Sequence, residues 1–134
     1  MQGLEIADIH LLNAALGWLG LNAPAARQLP ALVARILDSP ACARFFGGAA
    51  LRWAGNEVPV AVAGETLRID RLVALQDPAG TSWWVLDYKL QGAPAADAAN
   101  REQLQRYVDA VQRLQPGERV RGAFITGAGE LVEP

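Results

Sequence analysis

The stretch TLRIDRLVALQDPAGTSWWVLDYKL, residues 66–90, contains two apolar, strand-like runs on either side of a short polar turn. Residues 66–75 are rich in alternating and β-branched apolar side chains, and residues 83–90 form the second run. The proline and glycine of QDPAGTS, residues 76–82, are typical of a tight turn. The stretch therefore predicts a β-hairpin, around which the remaining elements can be arranged.

The elements on either side of this hairpin predict an α/β fold. An alternating run, NEVPVAVAG at residues 56–64, precedes the hairpin and is joined to it by the short turn AGE. After the hairpin, residues 119–126 predict a fourth strand, and residues 127–134 predict a turn and an edge strand. Asn100 is the predicted N-cap of a helix over residues 101–114, between the third and fourth strands. A crossover helix of this length favours parallel pairing of the strands that it joins.

Helical spacing of apolar residues supports two further predictions. The crossover helix should bury a face made of Leu104, Tyr107, Val108, Val111 and Leu114. Residues 1–48 predict a helical segment, in which Leu29, Leu32, Val33, Ile36 and Leu37 recur at helical spacing. Pro30 should kink or divide that helix.

Composition limits the classes of protein to which the chain can belong. Its 134 residues suit one domain, with 1–48 as the helical segment and 49–134 as the core. Apolar residues make up 51% and charged residues 19%, which predicts a globular rather than a disordered chain. The single cysteine, Cys42, excludes an internal disulfide framework and fits a reducing compartment. The formal net charge of −2 lacks the basic excess that a stand-alone nucleic-acid binder usually carries.

Two aspartates and the only lysine lie near the ends of the predicted hairpin strands. Asp87 and Lys89 are two residues apart, so their side chains point to the same face of a strand. Asp70 follows the apolar run of the neighbouring strand, and pairing through the turn would bring it close to Asp87. Neighbouring carboxylates repel unless a cation lies between them, and oxygen ligands suit a hard ion such as Mg²⁺ or Mn²⁺. An adjacent ammonium could orient a water bound to that ion, a task for which the bulkier, always-protonated guanidinium of arginine is unsuited.

The same residues also admit an ordinary structural interpretation. Asp87 and Lys89 could form a surface ion pair worth on the order of 0–1 kcal/mol. Asp70, flanked by Arg68 and Arg71, could equally be a surface charge without a special role. The order and strand placement of the three residues together favour a metal-dependent active site over separate ion pairs.

Four short motifs, in this order, resemble those of the PD-(D/E)XK nucleases, and within them the RecB-like branch. They are EVPV at 57–60, IDRL at 69–72, LDYK at 86–89 and QLQRY at 103–107. The resemblance covers roughly residues 24–134 and implies a restriction-endonuclease-like αβββαβ core, with a mixed central sheet flanked by helices. It also implies a Mg²⁺- or Mn²⁺-dependent deoxyribonuclease, acting as an exonuclease in DNA repair and recombination.

The resemblance assigns catalytic roles by position. Asp70 and Asp87 match the metal-binding acidic residues, and Lys89 matches the catalytic lysine. Glu57 matches the glutamate that opens the first core strand, although it could also be a solvated charge at a strand end.

A second set of residues matches the family element on the helix that faces DNA. Gln103 and Tyr107 have its spacing, although Tyr107 could instead be part of the apolar core. Arg106 and Arg113, on the polar side of the same helix, could meet phosphates or form a solvated face.

The chain also departs from the family pattern. RecB-like nucleases carry a metal-binding histidine on an upstream helix, and His10 is the only candidate here. Its surroundings, EIADIHLLNAAL at residues 5–16, lack the glycine, threonine and glutamate of that pattern, so His10 could instead be a packed residue. Arg68 and Leu90 stand where the family often has glycine and a hydroxyl residue, and neither change removes a ligand.

The resemblance implies DNA as the partner of this chain. Branch members commonly form the C-terminal domain of UvrD/Rep-type helicases, so we expect helicase domains in the same polypeptide and a second helicase–nuclease subunit, in the bacterial cytoplasm at the nucleoid. A motor would deliver DNA at high effective concentration, which fits the weak basic character. Two functions remain open on these grounds: a metal-dependent DNA nuclease, or a non-catalytic relic that serves as a DNA-binding or interaction module.

Overall fold

A five-stranded mixed sheet is the centre of the computed structural model, which describes residues 29–89 and 93–134. The elements in chain order are helix α1 (Leu29–Asp38), strands β1 (Leu51–Val62), β2 (Glu65–Asp77) and β3 (Gly80–Tyr88), helix α2 (Ala98–Leu114), and strands β4 (Arg119–Ile125) and β5 (Leu131–Val132). The strands lie in the order β1-β2-β3-β4-β5; β3 and β4 are parallel, and the other neighbours are antiparallel. The predicted α/β class is confirmed.

Two tight turns build the first three strands into a meander. Ala63 and Gly64 connect β1 to β2 with φ angles of 50° and 83°, and positive φ at both positions suits the right-handed twist of a hairpin. Asp77 pairs with Gly80 at the end of the β2–β3 hairpin, and its Oδ1 accepts the Ala79 N–H at 2.8 Å. Both predicted hairpins are confirmed, and β1 begins at Leu51, earlier than the predicted start at residue 56.

The crossover helix and the parallel strands that it joins are also confirmed, but the helix begins earlier than predicted. Asp97 has an extended backbone, and its Oδ1 accepts the Ala99 N–H at 2.8 Å, so Asp97 is the N-cap. The prediction of Asn100 as the cap is wrong. Asn100 already lies in the first turn, and its side-chain amide donates to the Pro94 carbonyl at 3.2 Å.

Each face of the sheet is covered by helical structure. On the α1 face, helix α1 and a 3-10 turn at Ala43–Phe45 cover a cluster of Val33, Ile36, Cys42, Phe45, Val73, Leu75, Trp84, Leu86, Tyr88, Ala123 and Ile125. On the α2 face, helix α2 covers a cluster of Val60, Ile69, Leu72, Val85, Leu104, Ala110, Val111 and Phe124. Burial of one large aliphatic side chain contributes roughly 1.5–3 kcal/mol, so both layers hold the sheet together.

Helix α2 approaches the sheet closely at one glycine. A Cβ atom on Gly122 of β4 would lie 2.7 Å from Val108 Cγ2, which is closer than real Cβ atoms come to other atoms. Leu104 and Val111 are buried there as predicted. The prediction for Leu114 is wrong: the residue is 61% exposed, because it ends the helix and belongs to neither apolar cluster.

The alternation of side chains along β2 is interrupted at Asp70. Ile69 packs on the α2 face with Leu72, although residues three apart in a regular strand point to opposite faces. Glu57 of β1 lies opposite Asp70 in the register and has a φ of 49°, and neither residue joins the ladder. Beyond this break the hairpin tip contacts α2, where Glu65 Oε2 accepts a hydrogen bond from Arg106 Nη2 at 2.6 Å.

The predicted N-terminal helices up to residue 28, including His10, lie outside the described residues. Within the described ranges, no helix is long and apolar enough to cross a membrane.

Candidate active site

The candidate site lies where the ladder between β2 and β3 ends. The last paired positions at this end are Arg71 and Leu86, and the next residues are Asp70 and Asp87. Instead of extending the ladder, Asp70 uses its side chain: Oδ2 accepts the backbone N–H of Tyr88 at 3.0 Å. The hairpin therefore brings the two carboxylates together at one edge of the sheet, as its predicted pairing requires.

Asp87 is a buried carboxyl group with an unsatisfied oxygen. The residue is 4% exposed, and its Oδ2 accepts no hydrogen bond from any described residue. Lys89 Nζ lies 3.4 Å from that oxygen, close enough for an ion pair but not aligned as a hydrogen bond. Burial and the neighbouring Asp70 raise the pKa of Asp87 from 3.8 to about 7, against the opposing effect of Lys89. The two carboxylates therefore repel each other when both are ionised near neutral pH.

Lys89 is held by both the sheet and helix α2. Its backbone N–H donates to the Ile125 carbonyl at 3.0 Å, which extends the parallel pairing of β3 with β4. Its ammonium lies 3.4 Å from Asp87 Oδ2 and donates to Gln103 Oε1 at 3.4 Å. The side chain is 21% exposed, so the ammonium lies between the buried Asp87 carboxylate and solvent.

The first half of helix α2 faces the carboxylates. Gln103 contacts the Lys89 ammonium, and Tyr107 lies one turn further along the same side of the helix. Burial raises the pKa of the half-buried Tyr107, and the charges of Asp87 and Asp70 raise it further. Gln103 therefore lies beside Lys89, and Tyr107 lies close enough to both aspartates for their charges to act on it.

The backbone of Glu57 lies next to the site, but its side chain does not take part in it. It lies level with Asp70 on the neighbouring strand, but its side chain is exposed and its φ of 49° is unusual for a residue with a side chain. In the described part of the chain, no three His, Cys, Asp or Glu side chains are grouped closely enough to hold a metal ion. The site as folded consists of Asp70, Asp87 and Lys89, without the Glu57 carboxylate.

The remaining predicted residues lie elsewhere. Arg106 forms an ion pair with Glu65. Arg106 and Arg113 also line a shallow cleft at the hairpin tip, together with Val62 and Leu67. His10 is outside the described residues. Neither arginine contacts the carboxylate pair through an ion pair or hydrogen bond among the described residues.

The donor set fits a hard divalent cation. Asp70 and Asp87 offer carboxylate oxygens, and the buried Oδ2 of Asp87 accepts no hydrogen bond from a described residue, which is costly for an acceptor. A cation shared by the two carboxylates would satisfy that oxygen and relieve their repulsion. Oxygen ligands with no thiolate or imidazole among them suit Mg²⁺ or Mn²⁺.

The burial of Arg71 beside the site was not predicted from the sequence, where Arg71 was noted only as a charge that flanks Asp70. Arg71 is 2% exposed and packs against the carbonyl of Phe45 and the ring of Phe46. A signal was present in the sequence: within the alternating run RIDRLVAL, position 71 shares the face of Val73 and Leu75.

No protein-family model matches this chain, and no curated protein is similar enough to count as a relative.

Proposed function

We propose that this chain is a metal-dependent DNA nuclease domain of the RecB-like branch of the PD-(D/E)XK nucleases. It hydrolyses phosphodiester bonds, as an exonuclease, within a UvrD/RecB-like helicase that acts in DNA repair and recombination. The observation that carries this proposal is the buried Asp87 beside the partly buried Asp70. One Asp87 oxygen accepts no hydrogen bond from a described residue and lies 3.4 Å from the only lysine. The order of helix, three strands, helix and strand supports a restriction-endonuclease-like core.

In this proposal Asp70 and Asp87 hold Mg²⁺ or Mn²⁺. When bound, such an ion polarises a phosphate oxygen and lowers the pKa of a bound water. Hydrolysis forms a bond from the water oxygen to phosphorus, breaks the bond from phosphorus to the leaving oxygen, and transfers a proton to that leaving oxygen. The protein residues supply binding and orientation for this displacement.

Lys89 orients the water and stabilises the charge that develops on the phosphate. Its ammonium is suited to this because Asp87 on one side and Gln103 on the other hold it at the edge of the buried site. A preorganised cation of this kind acts where charge develops in the transition state. Gln103 and Tyr107, on the helix beside it, would contact the DNA strand.

A second candidate function is supported by the position of Glu57. Because its carboxylate is not grouped with the two aspartates, the domain could be a non-catalytic relic that binds DNA or other parts of a helicase. This alternative differs from the nuclease in one measurable respect: it requires neither a bound cation nor a cleaved product.

The deciding experiment is metal-dependent degradation of linear single- and double-stranded DNA by the full-length protein. The nuclease proposal expects products with Mg²⁺ or Mn²⁺, no products with chelator, and no products from the Asp87→Asn variant. DNA binding without cleavage in every condition would support the relic instead.

A further inference from the structure

Arg71 is a buried cation next to Asp70 in strand β2. Its Nε and Nη2 donate to the Phe45 carbonyl at 3.1 and 2.8 Å, and its Nη1 donates to Asn56 Oδ1 at 2.8 Å. The ring of Phe46 covers the guanidinium at 4.6 Å from its centroid. These contacts fix the side chain on the α1 face of the sheet.

The partners of Arg71 are all neutral. Within the described ranges no carboxylate forms an ion pair with it, although the residue is only 2% exposed. Removing a charge from water is costly, and well-packed apolar residues often stabilise a core as well or better. Stability alone is therefore a poor explanation for a guanidinium at this position.

Arg71 joins two groups, the Asn56 side chain and the Phe45 carbonyl, at the strand positions next to the candidate site. Asn56 directly precedes Glu57, Arg71 directly follows Asp70, and Phe45 ends the 3-10 turn on the α1 face. Asn56 and Arg71 are also the last regular pair before the break in the ladder at Glu57 and Asp70. We call Arg71, Asn56 and the Phe45 carbonyl the Arg71 clamp.

We propose that the Arg71 clamp positions the acidic residues for the cation. Arg71 would act as a positioning residue, through the backbone of the strands: it holds β1 and β2 together at the break, so that Asp70 stays beside Asp87. This inference rests on the proposed function, since it assumes that the two aspartates bind a cation. Groups that orient metal ligands typically change metal affinity by about 10–100-fold when they are removed.

The test is Mn²⁺ affinity, measured by isothermal titration calorimetry on the full-length protein and on variants. Asn56→Ala removes the β1 half of the clamp, and Arg71→Lys keeps the charge but loses the planar fork of donors. Both should bind Mn²⁺ about 10–100-fold more weakly than the parent. Arg68→Lys is the matched control, because Arg68 is an exposed arginine of the same strand, and its Mn²⁺ affinity should equal that of the parent.

Thermal melts without metal show whether the clamp positions the aspartates or only stabilises the fold. Clamp variants that melt earlier but bind Mn²⁺ as tightly as the parent would show that Arg71 is structural only, and the inference would fall. If Arg71→Lys does not fold, Asn56→Ala decides, because it leaves the buried guanidinium and its Phe45 contact in place. A parent that binds no Mn²⁺, or binds it equally well after Asp87→Asn, would overturn the proposed function and this inference with it.

Discussion

Strand β2 and its neighbour β3 each carry one buried charged residue, and the two residues differ in how fully the protein satisfies their hydrogen bonds. Arg71, on the α1 face, is 2% exposed and has hydrogen bonds to Phe45 and Asn56. Asp87, on the α2 face, is 4% exposed and has an oxygen without any hydrogen-bond partner among the described residues. The donors of Arg71 are therefore satisfied by groups of the protein itself. Asp87 keeps an oxygen that accepts no hydrogen bond from a described residue and has the Lys89 ammonium 3.4 Å away.

The largest effect should follow from changing the cation beside that anion. Lys89→Arg keeps the charge but puts a bulkier, always-protonated group beside Asp87, where the proposed function has the ammonium orient the attacking water. DNA cleavage by the full-length protein should fall by about 100-fold or more, the typical loss for a group that stabilises the transition state. The measurement is a comparison of kcat and KM with the parent, with circular dichroism as the control for folding. A variant that cleaves at the parental rate would leave Lys89 as an ordinary partner of Asp87.

The next effect is a dependence of stability on pH in the absence of metal. Because the pKa of Asp87 is raised from 3.8 to about 7, the folded state holds this proton more tightly than the unfolded state. The stabilisation is therefore complete below about pH 4 and is lost as the pH rises through about 7. At about 1.4 kcal/mol for each pKa unit, the loss can reach about 4 kcal/mol.

The measurement is urea unfolding of the chelator-treated protein between pH 4 and pH 8, for the parent and for Asp87→Asn. Carboxyl groups remote from the site contribute equally to both proteins, so the difference between the two curves reports on Asp87 together with its neighbour Asp70. The variant should gain stability relative to the parent as the pH rises. Parallel curves would contradict the burial of an ionisable Asp87 beside Asp70.

The third effect is stabilisation by the cation itself. Mg²⁺ or Mn²⁺ that binds only the folded state should add about 2.7 kcal/mol at a concentration one hundred times its Kd. Thermal melts with and without the ion measure this gain. The double change Asp70→Asn and Asp87→Asn should abolish it, and a gain of the parental size in that variant would locate the metal elsewhere.

The smallest effect is expected at an exposed ion pair, in contrast to the buried charges of Arg71 and Asp87. Arg106 and Glu65 lie 2.6 Å apart, but their side chains are 57% and 66% exposed. Exposed pairs contribute between roughly 0 and 1 kcal/mol, so Glu65→Gln should change the free energy of unfolding by less than about 1 kcal/mol. Urea unfolding at neutral pH is the measurement. A larger loss would mean that this pair fastens the hairpin tip to α2 in a way that its exposure does not suggest.

The order of the strands and the meeting of the two aspartates could be predicted because they follow from local signals. The turn at Pro78 and the apolar runs around it determine a hairpin, and a hairpin register determines which residues face one another. The parallel pairing of β3 with β4 follows from the length of the helix between them.

Other features depend on contacts that a linear pattern does not contain. Asn100 and Asp97 are both good N-caps, and Asp97 caps α2 because a 3-10 turn at Pro94–Ala96 leads the chain into the helix there. The positive φ of Glu57 has no signal in EVPV, since glutamate rarely adopts it. The burial of Arg71 depends on Phe45 and Phe46, which reach it from a distant part of the chain.

The use of a side chain to end the β2–β3 ladder has a consequence for folding. Asp70 and Asp87 are seventeen positions apart in one hairpin, whereas the pairing of Ser82 with Arg119 spans α2. Contacts close in sequence cost less chain entropy to form, so the meander can assemble before the crossover helix docks. In such an early hairpin the two carboxylates would already repel each other, before Gln103 reaches Lys89. The divalent ion proposed for the finished site would then favour that early hairpin as well.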